Sequence, residues 1–234
     1  MGALSSSETL ALWERGARWH PVDRGLLALS FADRSAAESV ADWPLGRRNR
    51  ALLELHAEWF SSQLEAWAAC PQCGEKLEFE LNVQDLTATQ PDGKQQTTVA
   101  VDEQAFRLPT SRDLARVAKS SGEQQAAIQL LELCRISGVE SSGWTDEIVE
   151  KVGERLAAAD PMAETRVALT CPACGHAWND SIDVAGFIWA ELEARARRLL
   201  WEVHSLASAY GWSESETLAL SAARRAMYLE IVRA

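Results

Sequence analysis

Apolar positions recur at helical spacing near both ends of the chain and alternate in two stretches between. Ser5 precedes the first apolar run, with Glu8 three places on, a capping box that predicts a helix through "SSSETLALWERGARW". Pro21 in "HPVDRGLLALSF" predicts a second helix start. In "WPLGRRNRALLELHAEWFSSQLEAW", Leu52, Leu55, Trp59 and Leu64 lie near helical spacing, so the first seventy residues read as helices. The period then changes. "KLEFELNV" puts Leu77, Phe79, Leu81 and Val83 on one face of a strand. "TATQPDGKQQ" reads as a polar turn or loop, and "TTVAVDEQAFRLP" as two short strands. Helical character returns from Ser111 to about Ala159, punctuated by Gly122, Gly138 and Gly143. "TRVALTCPACGHAW" is strand-like again. A long final helical region then carries Phe187, Ile188, Leu192, Leu199, Val203 and Leu206 as an apolar stripe. Ser213 with Glu216 forms another capping box, and Ser221 is the expected cap of the last helix.

These elements predict a mainly helical α+β protein in five parts: an N-terminal helical segment (1–66), a first hairpin (67–86), an inserted segment of short strands then helices (87–164), a second hairpin (165–184) and C-terminal helices (185–234).

Composition narrows the function. The chain has 234 residues, nearly half of them hydrophobic, enough for a normal core. Its net charge of −11 argues against broad affinity for nucleic acid or anionic membranes and fits a soluble protein or one that meets a basic partner. No run approaches the roughly 20 apolar residues of a membrane span. The start lacks the basic and apolar regions of a signal peptide. Gly2 and Ser6 match a loose myristoylation pattern, which an ordinary N-terminus explains better. The expected compartment is the cytoplasm, where paired CxxC motifs more often hold metal than form disulfides.

Two such motifs stand about a hundred residues apart, "CPQCGEKLEFEL" and "CPACGHAW". Two cysteines separated by two residues can bind one ion from a tight turn, and Gly74 and Gly175 permit the backbone that turns amides toward the sulfurs. One knuckle supplies two ligands and structural zinc takes four. Cys70, Cys73, Cys171 and Cys174 are therefore the expected ligands of one structural Zn2+ in a zinc ribbon split by a long insertion. The open alternatives are half-sites completed by other chains, and redox chemistry. The second fits less well, because each pair leads into a strand rather than a helix start. His176 reads as a turn residue and Cys134 as a small core residue. Glu75, Glu78, Glu80 and Asp85, facing only Lys76, disfavour a nucleic-acid-binding ribbon.

Arginines cluster at Arg47, Arg48 and Arg50, at Arg195, Arg197 and Arg198, and at Arg224 and Arg225. They read as solvated helix faces paired with Glu, the alternative being a dock for an acidic partner. His56 and His204 fall on amphipathic helices with no nucleophile arrangement beside them, and nothing in the sequence motivates an enzyme.

Taken in order, these segments resemble a known family. "CPACGHAW", the helix "WAELEARARRLL", "EVHSLASAYGWSE" and "RRAMYLE" are similar to the end of phage T4-type baseplate proteins, whose relatives occur with tailed phages and contractile injection systems. "HPVDRGLLALS", "PLGRRNRALLEL", "CPQCGEKLEFEL" and "FRLPTSRDL" agree with it earlier in the chain. The resemblance implies a non-enzymatic baseplate component, or an assembly chaperone for the baseplate or hub. Its partners would be baseplate, spike or hub proteins. Trp201, Tyr210 and Trp212 are the expected contact residues, against the plainer reading that they pack the C-terminal helices. A zinc-ribbon adaptor in another complex is the other reading.

Overall fold

The computed structural model describes residues 3–33, 40–88, 97–138 and 143–233. The polar loop expected at "TATQPDGKQQ" lies largely outside them.

Three helices open the chain: α1 (Ser6–Gly16), α2 (Pro21–Ala32) and α3 (Leu45–Trp59). The Ser5 hydroxyl accepts from the Glu8 amide while the Glu8 carboxylate accepts from the Ser5 amide, closing the expected capping box. Pro21 sits in the first turn of α2, where its missing N–H costs nothing. α3 ends at Trp59. Leu64, which continues its apolar stripe in the sequence, lies instead in strand β1 (Gln63–Ala69). The first seventy residues are thus not all helical. Ser61 and Ser62 break the helix, and Leu64, Ala66 and Ala68 then alternate with exposed Glu65, Trp67 and Ala69. β1 pairs antiparallel with β2 (Lys76–Asn82), Gln63 opposite Asn82 and Ala69 opposite Lys76. Val83, expected at the strand end, begins the short helix α4 (Val83–Thr87), because the Asn82 side chain caps the Gln84 amide at 2.8 Å.

The insertion has its own small core. The two short strands expected there, β3 (Thr98–Val101) and β4 (Gln104–Arg107), pair antiparallel as a hairpin. After α5 (Ser111–Val117) and α6 (Glu123–Cys134), a third strand, β5 (Arg135–Ser137), joins β4. α7 (Asp146–Ala159) follows. Val99, Val101, Phe106, Leu108, Leu131, Val152 and Leu156 pack together there.

The chain then returns through β6 (Thr165–Thr170) and β7 (Ala177–Ile182), a second antiparallel hairpin that forms a sheet separate from β1–β2. The 27-residue helix α8 (Val184–Tyr210) runs back across α1, α2 and α3, and α9 (Glu214–Ala219) and α10 (Ala222–Arg233) close the fold. In the expected stripe of α8, Ile188, Leu192, Leu199 and Leu206 are buried, while Phe187 and Val203 are half-buried at its edge. The main core joins Leu12, Leu27, Leu52, Leu53, Ile188, Trp189 and Leu192 with Leu64 and Val83 from the foot of the first hairpin. Ile182, at the foot of the second, packs against the same core. Both hairpins are therefore rooted in one body and reach away from it.

A polar junction fixes the insertion to that body. The Leu45 amide donates to the Pro109 carbonyl at 3.0 Å and the Gly46 amide to Asp160 at 2.8 Å. Arg48 donates to Ser111 and to Asn49, and Asn49 donates to the carbonyls of Met162 and Ala163. Arg48 is buried, not part of a solvated face. The same holds for Arg225, which donates to Glu202 at 2.8 Å and to Ser6 at 3.1 Å. Arg50 and Arg197 do form the expected exposed pairs, with Glu54 and Glu193.

Candidate metal centre

Each hairpin ends in a knuckle, and the two knuckles have the same local structure. In the first, the Cys70 amide donates to the Glu75 carbonyl at 2.8 Å and the Gly74 amide to the Cys70 carbonyl at 2.9 Å. In the second, Cys171 donates to His176 at 2.8 Å and Gly175 to Cys171 at 2.9 Å. Gly74 has φ 75° and Gly175 φ 73°, the left-handed region where a β-carbon is costly. Pro71 and Pro172 occupy the same place in each turn.

The hairpins bring the tips together. Cys70 Sγ lies 3.7 Å from Cys174 Sγ, and Cys73 Sγ lies 3.6 Å from Cys171 Sγ. All four sulfurs lie within 4.8 Å of one another. Each close pair joins one hairpin to the other, and all five cysteines of the chain are free thiols. A tetrahedron with metal–sulfur bonds of about 2.3 Å has edges of about 3.8 Å, so these spacings suit a single four-coordinate ion. In each knuckle the first cysteine is buried and the second exposed.

The thiols do not titrate alike. Burial pushes Cys70 up, but the amides of Cys73 and Gln72 and the neighbouring thiols outweigh it and bring it down to about 7. At Cys73 the Glu75 amide favours the thiolate, yet the surrounding thiols and partial desolvation beside them push it up to about 12. The His176 amide and, more weakly, the Cys73 thiol favour a thiolate at Cys174, but partial desolvation with Cys171 and Cys70 prevails and raises it. Without an ion the cluster favours a thiolate at Cys70 and resists one at Cys73 and Cys174. A divalent cation held there would supply the charge that offsets this resistance.

The other sequence-flagged residues lie elsewhere. His176 stacks on Trp178 at 6.0 Å beside the second knuckle. Cys134 is buried next to Arg107 in the insertion, where burial pushes its thiol up to about 11. His56 is buried in α3 with Nδ1 2.8 Å from the Ser61 carbonyl, and burial lowers its pKa. His204 is exposed on α8. Trp201 is exposed on α8 under the Arg233 guanidinium, 4.9 Å from its ring. Tyr210 stacks on Trp212 at 4.8 Å, and Tyr228 of α10 meets both, at 5.7 and 4.9 Å. Tyr210 and Trp212 therefore tie the end of α8 to α10, and Trp201 stands apart from them. β1 begins at Gln63, four residues ahead of the expected hairpin start at 67, and its outer face carries Trp67. The alternation of Leu64, Ala66 and Ala68 was its only signal.

The chain matches no protein-family model, no curated protein and no solved structure. No helix among the described residues is long and apolar enough to cross a membrane.

Proposed function

We propose that the four thiolates hold one structural Zn2+ as a zinc ribbon split by an insertion, and that the protein is a non-enzymatic assembly factor or component of a contractile, phage-tail-like baseplate or hub. The convergence of Cys70, Cys73, Cys171 and Cys174 from two separate hairpins carries the first half of this reading. Four thiolate donors match the chemistry of structural zinc. They leave no open coordination position for water or substrate, so the ion would stabilise rather than catalyse. The baseplate half rests on the order of the sequence motifs. Trp201, with Tyr210 and Trp212 beyond it, remains the proposed contact for a spike, hub or baseplate partner.

Elemental analysis of the purified chain tests the metal, with native mass giving chains per ion. One zinc per chain is expected. No zinc, or one shared between chains, would sink the split ribbon. Co-purification with tail, spike or hub proteins from a host carrying the particle genes tests the role. Recovery with an unrelated complex would favour a zinc-ribbon adaptor instead.

A further inference from the structure

The outward faces of the two hairpins differ sharply, and the first is built from groups that do not suit one another. Trp67 is 68% exposed, more than any other large apolar side chain among the described residues. Its cross-strand neighbour is Glu78, and the next pair along the same face is Glu65 opposite Glu80. Two carboxylates directly opposite on a strand pair destabilise it. No described residue forms an ion pair with either of them or with Glu78. With Ala66 and Phe79, these four residues line a surface cavity of about 750 Å³. The chain's own Lys76 already holds its ammonium 5.7 Å from the centre of the Trp67 ring. A cation is thus accommodated at the indole, but a single Lys leaves the three carboxylates mostly uncompensated. A planar guanidinium would stack on the ring and still reach the carboxylates with its remaining donors.

We propose that the outer face of β1–β2, centred on Trp67, docks a basic segment of a partner protein, with an arginine taking the place of Lys76 over the indole. Charge complementarity selects the occupant. The chain carries −11 overall, and this face adds three carboxylates around an aromatic platform. A second copy of the same acidic face would be repelled, and a phosphate backbone likewise. The surface lies on the hairpin flank, away from the thiols at its tip, so the proposal stands independently of the metal and of the baseplate reading.

The test uses the full chain at low salt, titrated with a tetra-arginine peptide and, separately, with tetra-lysine and tetra-glutamate. The Trp67 indole N–H resonance and calorimetric affinity are the readouts. Tetra-arginine should shift that resonance and bind more tightly than tetra-lysine, with tetra-glutamate silent. Trp67→Ala should weaken tetra-arginine about tenfold, the E65Q/E80Q double variant by a similar factor, and Lys76→Ala should tighten it. Because Trp67, Glu65 and Glu80 are exposed, these variants should keep the wild-type metal content and melt no lower than the wild type, with E65Q/E80Q slightly higher as the like-charge pair is removed, which separates this test from that of the split ribbon. Binding that Trp67→Ala leaves unchanged would show only general attraction to an acidic chain and would overturn the proposal. So would the absence of any shift at the Trp67 indole.

Discussion

The two hairpins share their tips and differ on their flanks. At the tips, the hydrogen-bond lengths, the glycine conformations and the alternation of buried and exposed cysteine agree between the copies. On the outer flank, β1–β2 shows Trp67 among three carboxylates, whereas β6–β7 shows Ala168, Thr170, Ala177, Asn179 and Ser181, with Arg166 paired to Glu164. A shared ion would hold the tips to one solution, since it would need both pairs of sulfurs at the same spacing. No such demand reaches the flanks. There the first hairpin tolerates a like-charge pair that the second avoids, which is the pattern expected when one copy faces a partner and the other faces water.

The largest break in this comparison would come from the tips. Cys70→Ser and Cys171→Ser should abolish metal binding equally, since each knuckle supplies half the ligands. The loss is on the scale of a structural zinc site, about 10 kcal/mol of binding free energy coupled to folding. Metal content and thermal unfolding, with and without a chelator, measure it. A variant of one knuckle that kept its ion would destroy the equivalence.

A smaller symmetric effect is expected at the glycines. A β-carbon at Gly74 or Gly175 would meet nothing within 4 Å, so the penalty is purely conformational. Gly74→Ala and Gly175→Ala should each cost about 1–2 kcal/mol. Unequal costs by denaturant titration would show that the two turns are not held alike.

The feet of the hairpins should respond differently to acid. His56 contacts the Ser61 carbonyl just before β1, and no histidine occupies the foot of the second hairpin. Its folded-state pKa lies below the ordinary 6.5, so the unfolded chain takes up the proton first. The stability conferred by its neutral ring is fully present above pH 6.5 and declines as the pH falls through and below that value. Relative to His56→Gln, the wild type should lose melting temperature between pH 7 and 5. A constant difference across that window would mean the ring does not titrate as its burial implies.

The smallest effects separate the flanks. Glu80→Lys places a cation opposite Glu65 and should stabilise by about 0.2–1 kcal/mol. Asn179→Lys, at an exposed site on the second hairpin, should stay within about 0.5 kcal/mol of wild type. Equal responses would remove the evidence that the first flank is frustrated.

The sequence revealed what is local. Capping boxes at Ser5 and Ser213, the Pro21 start and the two knuckles are all written within four residues, and all are present in the fold. The cysteine set was legible because two incomplete ligand pairs imply each other. β1 was obscured because Ala66, Ala68 and Ala69 favour helix and Leu64 prolongs the stripe of α3. Only pairing with β2 decides the matter. β5 has three residues and exists only because β4 offers it an edge. The burial of Arg48 and Arg225 was hidden for a related reason. Ser111 lies 63 residues from Arg48 and Ser6 lies 219 from Arg225, so no local pattern announces either partner.

The distance along the chain between the thiols has a consequence for the order in which the molecule forms. Cys73 and Cys171 are 98 residues apart, and Cys70 and Cys174 are 104. Closing so long a loop in an unstructured chain costs on the order of 4–5 kcal/mol of entropy. Packing of the insertion around Phe106 and Leu131 and its docking at Gly46 and Asn49 would offset that cost by holding the two ends of the loop near each other. If the four thiols share one ion, the first knuckle alone would offer it only half of its ligands until the intervening hundred residues have folded. The second knuckle would then act as a latch, and tight retention of an ion would report that everything between the two phrases has reached its place.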